Sequence, residues 1–145
     1  MPDVRLPGPA THDHIESLSP DECAQRLAAQ GVGRIGVSSH GKVAIFPVNY
    51  VVDGDDVVVQ VRHDGELGEA THGTYVAIEI DHADSMYHEG WSVLVQGRCR
   101  HVTDPDELDA LCGLPLLPWG GPDRDTYLRV AMESISGRHI HHRDG

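Results

Sequence analysis

Two valine-rich runs separated by an acidic turn constrain the fold of this chain more than any other feature. The first run, VAIFPVNYVV, spans residues 43–52, and the second, VVVQV, spans residues 57–61. β-Branched and aromatic residues suit a pleated, half-buried surface, and the intervening Asp53-Gly54-Asp55-Asp56 is a hairpin signal. The stretch therefore predicts two antiparallel strands joined by a tight turn, around which the rest of the chain is organised.

Polar residues stand where both predicted strands of this hairpin end. Asn49 and Tyr50 lie near the end of the first strand, and Gln60 and Arg62 lie near the end of the second. A hairpin that places polar side chains at the rim of an apolar surface can hold a small planar ligand. This hairpin exit is the first candidate binding site.

Composition supports one strand-rich domain and disfavours several partners. The 145 residues include 16 glycines and nine prolines, and only 23% are charged, which indicates many turns rather than a helical bundle. A net charge of −12 without a basic run disfavours nucleic acid and anionic membranes as partners. Neither a signal-peptide pattern nor an apolar stretch of about 18 residues occurs, so we expect a cytoplasmic protein.

Two helix starts and four more strand patterns accompany the hairpin. The segments 19–22 (SPDE) and 104–107 (DPDE) each combine a capping residue, a proline at the first helical position and a glutamate at the third. Alternating or β-rich patterns predict strands at residues 33–38, 75–81, 91–102 and 126–135. With the hairpin, this predicts a mainly β fold of six antiparallel strands and two short helices in a closed or nearly closed barrel.

The ends of the chain lack periodicity. Residues 1–18 are predicted to form a flexible N-terminal arm, residues 19–140 the barrel domain, and residues 141–145 a polar tail. The apolar loop at residues 113–122 must bury its leucines and Trp119 somewhere. Because the barrel is small and this loop is apolar, we expect a homodimer.

Four segments resemble the pyridoxamine 5′-phosphate oxidase-like family, the flavin-binding split β-barrels. They are residues 33–36 (GRIG), 47–54 (PVNYVVDG), 90–97 (GWSVLVQG), and 118–119 (PW) together with 135–140 (ISGRHI). The resemblance covers about residues 17–140 and implies a split β-barrel homodimer with a small-molecule site at the subunit interface. It also implies FMN or, in some branches, a deazaflavin as the cofactor.

The function implied by this resemblance is that of an oxidoreductase whose redox chemistry belongs to the cofactor. No catalytic residue is assigned, because the protein would only bind and orient the flavin. The resemblance implies that the backbone of Pro47, Val48, Asn49 and Tyr50 contacts the edge of the flavin ring. It implies that Trp91, Ser92 and Trp119 line the site.

The phosphate-binding positions implied by the resemblance carry unusual residues in this chain. Gln60 and Val61 stand where the family has an Arg-Thr pair, Glu66 stands in place of a lysine, and Leu67 is retained. A phosphate needs cationic donors, and replacing lysine by glutamate reverses the sign of the interaction. Arg62 is a candidate substitute. The alternative function is therefore a split barrel that has lost the FMN phosphate site and binds another small molecule or serves as a structural dimer.

Histidines near both ends of the chain offer a third class of function, metal or haem binding. His12 and His14 lie near the start, and His139, His141 and His142 lie near the end. They stand beside Asp and Arg in predicted tails, which favours solvated histidines, and no metal site is assigned. If the end of the chain formed a strand, His139 and His141 would share one of its faces.

Overall fold

The computed structural model describes residues 13–61, 72–86, 88–114 and 126–142. Two helices lie in these ranges, α1 at Pro20–Ala29 and α2 at Pro105–Leu111. The strands in these ranges are β1 (Asp13–Ser17), β2 (Val32–Ser39), β3 (Lys42–Asp53), β4 (Asp56–Val61), β5 (Tyr75–Asp84), β6 (Glu89–His101), β7 (Thr126–Ala131) and β8 (Ser134–His142).

The described strands form one antiparallel sheet that curls into a barrel. Their order is β1-β8-β6-β5-β2-β3-β4-β7, and a further pairing between β6 and β7 closes the ring. The long strand β6 makes this possible, because its first part pairs with β5 and β8 while Cys99–His101 pair with β7. The predicted class, a mainly β split barrel with two short helices, is confirmed.

The structure has eight strands in its described ranges where the sequence predicted six in the whole chain. One addition is β1, which lies in the segment predicted as a flexible arm and pairs with β8. The other arises because the predicted last strand is two strands, β7 and β8. Between them the Met132 N–H donates to the Asp55 carbonyl at 3.0 Å, which holds the chain against the hairpin turn. Strand β8 runs to His142, so part of the predicted polar tail belongs to the sheet.

The central hairpin forms as predicted. Strands β3 and β4 pair from Asn49 opposite Gln60 to Asp53 opposite Asp56. Gly54 in the turn has a φ of +60°, a left-handed conformation that glycine adopts without steric cost. Neighbouring residues of β3 alternate between the barrel interior and the outer face, so the two faces of the hairpin carry different side chains.

Helix α1 packs over the barrel interior and begins at its predicted capping box. The Ser19 hydroxyl accepts from the Glu22 N–H at 3.2 Å, and the Glu22 carboxylate accepts from the Ser19 N–H at 3.1 Å. Cys23 and Leu27 are buried in the core. The Tyr50 hydroxyl donates to the Leu27 carbonyl at 2.5 Å, which ties the hairpin to the helix.

Helix α2 lies on the outer face of the barrel. The Asp104 carboxylate caps it by accepting from the Glu107 N–H at 3.4 Å. Leu111 packs with Val58 and Val102 in a buried cluster separate from the barrel interior. Neither of the two described helices is long and apolar enough to cross a membrane.

Strands β6 and β7 approach each other closely at Gly97. A Cβ added to Gly97 would overlap the carbonyl oxygen of Ala131 and would lie 2.8 Å from its carbonyl carbon. The Ala131 carbonyl group belongs to the backbone, so it cannot move aside as the end of a flexible side chain can. Closure of the barrel therefore depends on the absence of a side chain at position 97.

Candidate functional site

A row of polar side chains crosses the outer face of the barrel at the hairpin exit. Asn49 on β3 lies opposite Gln60 on β4, and Gln60 lies opposite Tyr127 on β7. Val48 and Tyr50 point into the core, so the residue between them points outward. This row of Asn49, Gln60 and Tyr127 is called the polar row below.

Asn49 is the most unusual member of the polar row. It is only 3% exposed, yet its Oδ1 has no hydrogen-bond partner among the described residues. A buried carbonyl oxygen without a donor costs about 1–3 kcal/mol. Such a group is uncommon in folded proteins, and a donor from outside the chain would satisfy it.

Apolar residues border the polar row on the side of α2. Val51 and Tyr127 pack against the buried cluster around Val58 and Leu111. Burial raises the pKa of the Tyr127 phenol, and the neighbouring Cys112 thiol raises it further. The hairpin exit thus has polar groups beside an apolar surface, as the sequence predicted, with Tyr127 as an addition.

The structure divides the predicted ring-contacting residues between two faces. Pro47 is exposed on the outer face of β3, which is the face that also carries Asn49. Val48, Tyr50 and Val61 are buried in the barrel core, so their side chains are unavailable and only their backbone can contact a ligand on the outer face. Burial also raises the pKa of the Tyr50 phenol.

Trp91 and Ser92 are likewise not brought together. Ser92 lies on the outer face between Asp81 and Arg138, whereas Trp91 packs against the core on the opposite face. The Arg26 guanidinium of α1 lies 5.1 Å from the centre of the Trp91 ring, a cation–π arrangement. Within one chain, Trp91 therefore belongs to a groove under α1 and not to the polar row.

Four predicted site residues lie outside the described residues, namely Arg62, Glu66, Leu67 and Trp119. Their contribution to the site stays a prediction. Of the predicted phosphate-binding positions, the structure describes Gln60, which is half-buried in the polar row, and Val61, which is in the core. Neither supplies a positive charge.

Sequence reasoning missed a charged cluster next to the polar row. Arg129 of β7 is 12% exposed and contacts Asp53 at 2.8 Å, Asp56 at 3.0 Å and Glu107 at 3.6 Å. The outward alternation of Tyr127 and Arg129 in β7 was the available signal. The acidic turn of the hairpin is thus held by one arginine from a strand far away in the sequence.

A second charged cluster lies on the outer face of β2 and β5. The Arg34 Nη1 is 3.5 Å from Glu79 Oε1 and 3.1 Å from Asp81 Oδ2. Burial raises the pKa of Glu79 to about 7, and the adjacent Asp81 carboxyl raises it as well, while Arg34 opposes the shift. The Glu79 carboxyl therefore keeps its proton to a higher pH than an exposed glutamate does.

We expect this cluster to make folding stability depend on pH. The folded chain keeps a proton on Glu79 between pH 4.5 and about 7 that the unfolded chain releases, so the free energy of unfolding falls as pH rises through this window. In Glu79→Gln this decline should disappear. Above pH 7 the variant should be more stable than the parent by up to about 1 kcal/mol, a value discounted for solvent screening.

Urea denaturation at several pH values measures this effect. Asp109→Asn, which removes an exposed carboxylate from α2, is the control and should leave the pH dependence unchanged. A Glu79→Gln variant whose stability differs from the parent equally on both sides of the window would contradict the raised pKa of Glu79.

The histidines near the chain end adopt the arrangement predicted for a strand. His139 and His141 share one face of β8, with ring centres 3.7 Å apart. Burial lowers the pKa of His139, and the neighbouring His141 and Arg26 lower it further. In the described ranges, no group of three or more His, Cys, Asp or Glu side chains is arranged to hold a metal ion.

The antiparallel strands form a barrel that the pairing of β6 with β7 closes, and the polar row lies on its outer face. These features define a split β-barrel protein. Residues 19–139 match the family model described as pyridoxamine 5′-phosphate oxidase. The chain belongs to this family.

Known proteins of similar sequence and structure agree with this assignment. An uncharacterised protein of Mycobacterium tuberculosis is 30% identical over 144 residues, covering 96% of this chain and 94% of that protein. The FAD-binding protein of Mycobacterium smegmatis is similar in structure with a TM-score of 0.75 and 31% identity, over 86% of this chain and 98% of that one. A conserved protein of unknown function from Corynebacterium diphtheriae has a TM-score of 0.72 and 28% identity, over 86% and 96% of the two chains.

Proposed function

We propose that this chain is a flavin-binding oxidoreductase whose cofactor ring lies against the polar row. The observation that carries the proposal is the buried Oδ1 of Asn49, which lacks a donor among the described residues. The pyrimidine edge of a flavin presents an N–H donor flanked by two carbonyl acceptors. An amide side chain matches that edge, because its oxygen accepts from the ring N–H while its nitrogen donates to a ring carbonyl.

The surroundings of Asn49 also suit a planar ring. Pro47 offers an exposed apolar surface on the same face of β3, and Gln60 offers a second amide opposite Asn49. When bound, the flavin supplies the electron-transfer chemistry. The residues of this chain bind its edge, fix its orientation and limit the access of water.

A known relative bears on which flavin is bound. FMN ends in a phosphomonoester of about −1.5 to −2 charges at neutral pH, and the diphosphate of FAD carries about −2 in total, so charge does not separate the two. Gln60 and Val61 offer no cation for either phosphate group. The FAD-binding relative of Mycobacterium smegmatis supports FAD for this chain.

The proposal includes a homodimer formed through the outer face of β2, β3 and β5. Val43 and Ile45 of β3 are 78% and 68% exposed there, and Ile45 lies opposite Gly36 of β2. Arg34 and its two carboxylate partners lie on the same face. A surface that carries both signs of charge is complementary to itself across a twofold axis. A monomer mass in analytical ultracentrifugation would contradict this dimer.

The first test is a near-ultraviolet and visible absorbance spectrum of the purified protein, followed by titration with FAD, FMN and a deazaflavin. A bound chromophore, or micromolar or tighter binding of one of the three, is expected. Binding of FMN at least as tight as that of FAD would contradict the preference for FAD. A colourless protein that binds none of the three would contradict the flavin proposal.

Asn49→Leu tests the position of the ring. The variant should weaken flavin binding about tenfold or more, because it removes a hydrogen bond from a buried site. Its stability without flavin should be unchanged or higher, since an unpaired buried polar group is also removed. Fluorescence titration and urea denaturation measure the two effects.

Gln96→Leu is the matched control, because it removes an exposed amide from the outer face of β6 outside the polar row. It should bind flavin as the parent does. Equal binding by Asn49→Leu and the parent would place the ring elsewhere.

The absence of a cation at Gln60 and Val61 favours a second candidate, a split barrel that binds a different small molecule at the polar row. This candidate predicts that the protein ignores all three flavins. It retains the requirement for a ligand donor at Asn49, so uncharged ligands with an N–H flanked by carbonyls would be the next compounds to titrate.

A further inference from the structure

A cavity lies on the outer face at the end of β7 away from the polar row. Its volume is about 300 Å³, within the lower range of small-molecule pockets. Its charged and polar lining consists of His72, Arg98, Arg100, Arg129 and Asp56. Three of the eleven Lys and Arg residues of a chain with a net charge of −12 thus meet in one cavity.

Arg98 provides the most available charge in this cavity. Its guanidinium lies 4.9 Å from the centre of the Tyr75 ring, and its Nη1 donates to the Gly73 carbonyl at 3.3 Å. Among the described residues, no carboxylate lies within ion-pair distance of this guanidinium. A guanidinium has five N–H donors, so most of them remain for a ligand.

Arg100 and His72 add further donors. Arg100 uses Nη2 in a 2.8 Å contact with Glu107. The backbone N–H of His101 donates to Nδ1 of His72 at 3.0 Å, so the proton of the neutral imidazole resides on Nε2. Arg100 therefore has guanidinium N–H groups besides those of Nη2 for a ligand, and His72 has its Nε2–H group.

The acidic groups around the cavity lie beside the arginines. Asp56 Oδ2 is 3.0 Å from Arg129. Glu107 Oε1 is 2.8 Å from Arg100 and 3.6 Å from Arg129, although it forms no hydrogen bond with a described residue. Glu133 accepts from the Tyr75 hydroxyl at 3.2 Å and from the Arg98 backbone N–H at 2.6 Å. Arg98 thus carries a positive charge that no carboxylate among the described residues pairs with, and a guanidinium in that state suits an oxyanion.

We propose that the cavity between Arg98, Arg100 and His72 is a binding site for a phosphate group, either free or on a small phosphomonoester. Arginine suits this ligand because its planar fork matches two phosphate oxygens at once. The site is separate from the polar row. Tyr127, Arg129 and Ala131 follow one another along the outer face of β7. Tyr127 belongs to the polar row, whereas Ala131 lines the cavity, and Arg129 lines the edge of the cavity nearest to the polar row.

Isothermal titration of the full chain with inorganic phosphate and with phenyl phosphate tests the proposal. At matched ionic strength, Arg98→Gln should weaken binding of both probes about tenfold or more, the effect of losing a charge-assisted hydrogen bond. Arg138→Gln, which removes an exposed positive charge from β8, is the control and should bind as the parent does. Tighter binding of phenyl phosphate than of inorganic phosphate would assign the site to a phosphomonoester, and the reverse order to free phosphate.

The same titration repeated in the presence of saturating flavin separates this site from the proposed cofactor site. If the chain binds flavin, phosphate binding that persists supports two sites. If it binds no flavin, the comparison of Arg98→Gln with Arg138→Gln tests the phosphate site by itself. Competition between phosphate and flavin would place the phosphate in the cofactor site and overturn the inference. No binding by the parent chain, or equal weakening by Arg98→Gln and Arg138→Gln, would overturn it as well.

Discussion

Replacing Arg129 by leucine is expected to lower the free energy of unfolding by about 2–4 kcal/mol, because removing one partner of a largely buried ion pair leaves uncompensated charges. Arg129 is 12% exposed and lies between Asp53, Asp56 and Glu107. Without it, three carboxylates face one another. The apparent melting temperature should fall by about 10 °C for a chain of this size.

Urea denaturation at neutral pH measures this loss, with the midpoint falling and the slope unchanged. Arg138→Leu removes an exposed arginine from β8 and should change stability by no more than about 0.5 kcal/mol. Added salt should restore part of the stability of Arg129→Leu, since it screens the remaining carboxylates. Equal losses in the two variants would mean that the contacts of Arg129 contribute nothing specific.

A still larger effect is expected from Gly97→Ala, which should destabilise the fold by more than about 4 kcal/mol or prevent folding. The added Cβ would overlap the Ala131 carbonyl group, which is held by the pairing of β6 and β7. Relief requires the two strands to separate. Circular dichroism, soluble yield and thermal melting would report this loss directly.

Gly31→Ala is the comparison for this variant, because a Cβ at position 31 meets no atom within 4 Å. Its stability should match that of the parent closely. A well-folded Gly97→Ala protein with an unchanged melting temperature would show that the barrel does not close as described.

The features that sequence reasoning predicted correctly are local ones. The hairpin follows from two β-rich runs around Gly54, and both helix starts follow from a cap, a proline and a glutamate within four residues. These signals act between neighbours in the chain. These signals can therefore be recognised in the sequence without knowing which distant segments of the chain pair as strands.

The parts that sequence reasoning missed depend on register between distant strands. Nothing local indicates that Arg129 lies over Asp53 and Asp56, since more than 70 residues separate them. The alternation along β6 places Trp91 and Ser92 on opposite faces of one chain, so their joint assignment to a site at a subunit interface stays a prediction. The lack of a donor for Asn49 became visible only when the neighbouring strands were in place.

The short strand β1 limits the aggregation of copies of this chain through the edge of the sheet. Since β6 and β7 close the ring, the described sheet has its free edge at β1, which occupies the outer side of the nine-residue β8. An exposed strand of that length is a template on which other chains can add strands. The five residues DHIES cover it with a brief edge that bears charges, including the contact of Glu16 with His141 at 3.2 Å. Strand β1 thus covers the edge of β8 and disfavours aggregation through that edge.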